Sequence, residues 1–303
     1  MPLPTILLAL AISGGSGLRG AQTPATPTKK VEVEIKDPLK QAAALFDAGQ
    51  NAHQSGDLQK AIEFYREALA RNPSLWPAEF QRSVAHLSLG QLSEARASID
   101  RVIALLSEFT ESEELKGISA KAQIVSGEIA LAQSNRDLAE KAFRRALELN
   151  PQAGQAHGGL AEILLAREKP AEASVEAAQA IAAGDDRSST WTVLGTAQSM
   201  SGRNEEALAS LAEGIKRNPR QIAALRLRSE INLARGAIPA ALADLRAVLA
   251  LDDNPGDRLH LAEVLTQVKQ FDEAIAIFRN LLVTEPGNTD ARTGLAVALI
   301  DSG

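Results

Sequence analysis

A chain of 303 residues, 45% of them hydrophobic, is long enough to bury a large core, which excludes a wholly disordered protein. Its 32 basic residues stand against 38 acidic ones, a net charge of -6, so no cationic excess exists to neutralise phosphates and nucleic acid is not an expected partner. Cysteine is absent, which excludes thiolate nucleophiles, disulfides and cysteine-ligated zinc.

The chain opens with "MPLPTILLALAISGGSGLRGAQTPATPTKK", in which an apolar run from Ile6 to Ile12 precedes small residues. That is the outline of a secretory signal peptide over 1–25, with cleavage between Gly17 and Ala25, although no Lys or Arg precedes the run. Export to a periplasmic or extracellular space is the expectation that follows; without cleavage and export the chain would be cytoplasmic. The run is too short to span a bilayer, and no later segment resembles a membrane span. Residues 26–39, rich in Pro, Thr and Lys, read as a flexible leader. The glycines of 14–22 lack the Lys-Ser/Thr of a phosphate-binding loop.

From 40 to 303 the pattern is helical throughout, with apolar residues three and four apart and breaks at Gly, Asn-Pro or Asp-Asp. Ala61, Ala95, Ala139, Ala173, Ala207, Ala241 and Ala274 recur at spacings of 34, 44, 34, 34, 34 and 33. Twelve residues before each stands another small residue: Gly49, Ser83, Gly127, Ala161, Gly195, Ser229 and Ala262. Two small positions in register let antiparallel helices cross closely. Four residues after the alanine comes a larger apolar residue, Tyr65, Ile99, Phe143, Leu211, Leu245 or Phe278, expected to fill space between neighbouring helix pairs; Ala177 in the fourth repeat implies looser packing. Pro73, Pro151, Pro219 and Pro286 end the second helix of their repeats.

These features resemble the tetratricopeptide repeat family, whose 34-residue helix-turn-helix reads W-x2-L-G, then A-x3-F, then P. The fifth repeat matches best, with Trp191, Leu194, Gly195, Ala207 and Pro219. The resemblance implies an all-α right-handed solenoid of about seven repeats, near 42–75, 76–119, 120–153, 154–187, 188–221, 222–254 and 255–288, with a final lone helix at 289–301. It also implies that the first helix of each pair lines the concave side. A single pair cannot bury its own apolar face, whereas stacked pairs share one core and leave a long groove.

Carried over from the family, the ninth position of the first helix faces the groove and holds Gln50, Val84, Glu128, Glu162, Thr196, Glu230 and Glu263. The fifth position holds Phe46, Phe80, Ile124, Gly158, Thr192, Arg226 and Leu259. The expected ligand is a protein or peptide segment with an apolar anchor against Phe46 and Phe80 and basic residues along the glutamates. The plainer alternative is that Glu is a good helix former on a solvated face. The family's carboxylate clamp for chaperone tails is disfavoured, since Phe46, Gln50, Gln81, Lys121 and Val125 match it only at Lys121.

No catalytic apparatus, metal site or cofactor is expected. His53, His86, His157 and His260 fall at different repeat positions, and His260 with Glu263 is a lone pair one turn apart. Two irregularities remain. The acidic insertion "SEFTESEELKGI" (107–118) extends a helix or forms a lip, and Leu295, Leu299 and Ile300 of the last helix form a patch for self-association or a partner unless all are buried. The chain therefore reads as a non-catalytic adaptor in cell-envelope assembly, as a structural subunit held through the terminal helix and insertion, or as an accessory subunit lending substrate binding to a separate enzyme.

Overall fold

The computed structural model describes residues 37–107 and 113–303. The expected signal peptide, most of the leader and the centre of the acidic insertion lie outside these residues. Among the described residues are fifteen α-helices, paired as α1 (Pro38–Gln54) with α2 (Leu58–Arg71), α3 (Trp76–Ser88) with α4 (Leu92–Ser107), and α5 (Glu113–Ala132) with α6 (Arg136–Leu149). There follow α7 (Gly154–Ala166) with α8 (Pro170–Ala182), α9 (Ser188–Met200) with α10 (Asn204–Arg217), α11 (Ile222–Ala234) with α12 (Ile238–Leu251), α13 (Pro255–Gln267) with α14 (Phe271–Thr284), and α15 (Thr289–Ser302) alone.

Local chemistry sets the boundaries. Helix α1 starts at Pro38, ahead of the expected Lys40, because the Asp37 side chain accepts from the Leu39 amide and Pro38 needs no amide partner in the first turn. Asp57 and Asn135 cap α2 and α6 in the same way. Inside each pair the turn passes through one residue in the left-handed region, at Gly56, Gly90, Ser134, Glu168, Gly202, Gly236 and Lys269. Asn72, Asn150 and Asn218, each before a proline, are extended and terminate α2, α6 and α10. The insertion lengthens the two helices it joins across neighbouring pairs, since α4 and α5 run for 16 and 20 residues where the helices after them run for 13 or 14.

The seven aligned alanines are completely buried. The small residues facing them are buried too, and a Cβ on Gly195 would lie 3.2 Å from the Ala207 carbonyl oxygen, so the two backbones of that pair nearly touch. The larger residues do more than fill the space between pairs. A Cβ on Gly49 would come within 2.5 Å of the Tyr65 ring, and one on Gly127 within 2.5 Å of the Phe143 ring, so each ring covers the glycine of its own pair. Phe143 also lies under Gly159 of α7, and Phe278 under Gly294 of α15, which joins consecutive pairs into one core. In the fourth repeat Ala177 is fully buried and Val193 of the next helix packs in its cluster.

The backbones of successive odd-numbered helices approach within 8 Å of one another, α11 and α13 excepted, whereas no two even-numbered helices come that close, α12 and α14 being joined by the Arg246–Glu273 ion pair. The odd helices therefore form the tighter, inner layer of a curved array. Helix α15 is held by the buried Ala291 and Ala298; Leu295 is half-buried, while Leu299 and Ile300 are exposed, so the three leucine and isoleucine side chains are not all covered.

Candidate functional site: the inner face of the array

An odd helix inside the array has its partner helix on one side and neighbouring repeats on two others, so a solvent-exposed residue in its middle faces the inner surface. The expected apolar anchor at the N-terminal end is modest. Phe46 is half-buried with its ring 5.9 Å from that of Tyr65, and Phe80 is half-buried against the cluster of Ile99 and Val125. Gln50 is half-buried as well.

Apolar surface appears instead at a row that the sequence reading passed over. Leu87, Leu131, Leu165 and Leu233 stand three residues after Val84, Glu128, Glu162 and Glu230, on the same helix face, and are half-buried. The signal was present, since three of these leucines recur in the same repeat register as the glutamates.

The middle of the face carries a built ionic cluster. Asp185, in the α8–α9 connection, is buried, with its side chain 1% exposed. Arg187 donates to it from Nε at 2.8 Å and from Nη2 at 2.6 Å, and Thr190 donates from Oγ1 at 2.8 Å. Burial pushes the Asp185 carboxyl up, but these hydrogen bonds and the guanidinium charge outweigh it and hold the group below its usual range. Gly158 makes room for the cluster, because a Cβ there would lie 2.6 Å from Asp185 Oδ2 and 2.7 Å from Arg187 Nη2.

Arg187 thus lies across α7, where other repeats place a side chain of the first helix. Its Nη1 is 3.9 Å from Glu128 of α5, and its charge also acts on Glu162 of α7. Burial pushes the half-buried Glu128 carboxyl up, only partly offset by Arg187. One of the four expected acids, Glu128, therefore has a cation supplied by the chain itself, while Glu162 is exposed and feels that cation without pairing with it. Arg187 escaped the sequence reading because it belongs to a connection, not to a repeat position; "GDDR" replacing Asn-Pro, and Gly158 in a row of larger residues, were the available hints. Beside the cluster an open cleft of about 490 Å³ is lined by Lys121, Ile124, Gly154, Asp185 and Arg187.

Toward the C-terminal end, Arg226 of α11 forks onto Asp257 of α13, with Nε–Oδ1 3.0 Å and Nη2–Oδ2 2.6 Å, and so joins the two successive odd helices whose backbones do not come within 8 Å. Glu230 and Glu263 are exposed and make no hydrogen bond or ion pair among the described residues. His157 is committed to Glu176 at 2.7 Å and to the Pro151 carbonyl at 3.1 Å, and His86 to Gln91 at 2.6 Å. No group of three His, Cys, Asp or Glu side chains suited to a metal occurs among the described residues, and no helix there is long and apolar enough to cross a membrane.

Sequence models of the tetratricopeptide repeat match residues 42–75, 125–188 and 192–257, together more than half of the chain. The chain belongs to the tetratricopeptide repeat family, and in general terms it is a protein–protein interaction scaffold. A chain of the APC/C hetero-tetramer Cut9-Hcn1 superposes with a TM-score of 0.63 at 17% identity, over 83% of this chain and 48% of that one, so this chain spans about half the length of that relative. The C-terminal part of a TPR repeat-containing protein of Cytophaga hutchinsonii gives 0.56 at 14% identity, covering 82% of this chain and 99% of that one. PilW, a type IV pilus biogenesis factor, gives 0.57 at 18% identity, covering 73% and 98%. At these identities the likeness is one of fold. An uncharacterized protein of Methanocaldococcus jannaschii is 29% identical over 76 residues, which is 25% of this chain and 88% of that protein.

Proposed function

We propose that this protein is a non-catalytic adaptor that holds a peptide segment of another protein along the inner face of its odd-numbered helices, in the service of cell-envelope assembly. The observation that carries the binding part is the inner face itself, which sets a row of acids beside a row of half-buried leucines with Glu230 and Glu263 left without counter-ions. Such a surface favours a segment that is both basic and apolar. The envelope part rests on the N-terminal sequence and is tested separately, by fusing residues 1–25 to a reporter that is active only after export.

Binding is tested by native affinity capture from the source cells, comparing the wild type with a variant in which Glu128, Glu162, Glu230 and Glu263 are all alanine. A protein enriched by the wild type and lost by the variant supports the inner face as the functional surface. The same proteins captured by both would remove it, and would favour the exposed Leu299 of α15 as the contact of a structural subunit.

A further inference from the structure

The acids of the inner face are not equivalent, and the difference selects where a partner sits; this inference rests on the inner face being the binding surface. At Glu128 the place of a partner's basic group is already taken by a cation of the chain itself, and the same cation stands in the field of the exposed Glu162. Arg187 lies there, fixed by its fork onto the buried Asp185 and by the space that Gly158 leaves. A second cation brought to this place would meet Arg187 as a like charge.

The C-terminal end differs in each respect. Glu230 on α11 and Glu263 on α13 are exposed and unpaired among the described residues. On the same two helices Arg226 is committed to Asp257 and Arg258 to Asp253. In the next helix, α15, the register position of Glu230 and Glu263 holds Val297, 44% exposed, and three residues on stands Ile300, 78% exposed. Leu233 of α11 is the half-buried member of that second row. Two unpaired carboxylates are thus followed, along one face, by two exposed aliphatic side chains.

We propose that the inner face of α11, α13 and α15 takes an extended segment carrying two basic residues and then an apolar one, while Arg187 closes the middle of the face to such a segment. Neighbouring packed helices such as α13 and α15 lie about 8–10 Å apart, and the wider gap between α11 and α13 is within reach of a long Lys or Arg side chain. A polyproline-type segment advances about 3.1 Å per residue with three residues per turn, so side chains three apart point the same way and are one helix spacing apart. The matching pattern is Lys or Arg, two residues, Lys or Arg, two residues, then Leu or a similar aliphatic. The basic groups pair with Glu230 and Glu263, and the aliphatic one covers Val297 and Ile300.

The probe is a fluorescein-labelled peptide, Lys-Pro-Pro-Lys-Pro-Pro-Leu-Leu, titrated with the full chain by fluorescence anisotropy, with a control peptide in which both lysines are glutamates. The lysine peptide should bind and the control should not, and added salt should weaken the binding. Glu230→Lys with Glu263→Lys should weaken it by at least about tenfold, as like charges then face each other. Glu128→Gln with Glu162→Gln should weaken it less than those reversals do, since Arg187 already holds a cation in the middle of the face. Val297→Ser with Ile300→Ser should weaken it while leaving the helical circular dichroism unchanged, because both residues are exposed. The inference is overturned if the lysine peptide does not bind, if the control binds equally, if the Glu230 and Glu263 reversals have no effect, or if the Glu128 and Glu162 variant loses as much. A native partner that is lost from the all-alanine variant even though the peptide fails would leave the adaptor reading standing and remove only the basic segment.

Discussion

The ring of Phe143 occupies the space that a side chain on Gly159 would need, so that a Cβ there would overlap the ring edge. The same relationship recurs between Phe278 and Gly294, and its inverse stands in the fourth repeat, where Ala177 is followed by Val193. At these three boundaries size is exchanged between repeats, large against absent or small against branched.

This exchange predicts non-additive stability. Gly159→Ala should overpack the boundary and cost about 1–3 kcal/mol. Phe143→Ala should leave a cavity and cost about 3–5 kcal/mol. The double variant Phe143→Ala with Gly159→Val recreates the Ala177 and Val193 arrangement, and its loss in urea denaturation should be smaller than the sum of the single effects. Simple additivity would show that the two positions are not coupled.

The Asp185 cluster predicts a stability that depends on acid pH. The folded-state carboxyl titrates below its unfolded value of about 3.9. Its contribution is therefore complete above that value and is lost as pH falls through the folded one. The melting temperature should fall on acidification below about pH 4, and Asp185→Asn should flatten that part of the profile while costing about 1–3 kcal/mol at neutral pH. An unchanged acid limb in Asp185→Asn would assign it to other carboxylates.

Glu128 predicts the opposite sign. Burial raises its folded-state value, with Arg187 offsetting part of the effect, so folding loses stability as pH rises from the ordinary glutamate value toward the raised one. Glu128→Gln should therefore raise the melting temperature at pH 7, and its advantage should vanish toward about pH 4. A destabilised Glu128→Gln at neutral pH would mean that its attraction to Arg187 outweighs its burial.

The turns between paired helices predict where stability can be added. Glu168 and Lys269 sit at φ 58° and 62°, in the register where Gly202 and Gly236 sit at 76° and 77°. A side chain in this region costs about 1–2 kcal/mol, part of which a glycine returns as unfolded-state freedom. Glu168→Gly and Lys269→Gly should each stabilise by up to about 1 kcal/mol, and Gly202→Ala should destabilise by about as much, in urea denaturation.

The letters alone determined the helices, the pairing register and the solenoid. Each repeat packs only on its neighbours, so alanines, glycines and prolines recurring in step describe nearly every contact that stabilises the array. Turn position was equally legible, since Gly56, Gly90, Gly202 and Gly236 mark it directly and Ser134, Glu168 and Lys269 fall in the same register. What only the tertiary structure decided is the character of the inner face. Phe46 and Phe80 stand at groove positions, yet how far each is buried depends on Tyr65 and on the Ile99 cluster, which lie on other helices. The glutamates read as one stripe, yet Arg187 reaches from a connection across α7 to Glu128 of α5 and divides it. Repeat register describes neighbours in a periodic stack, whereas the field at a surface sums over every charge within a Debye length, including those the repeats do not encode.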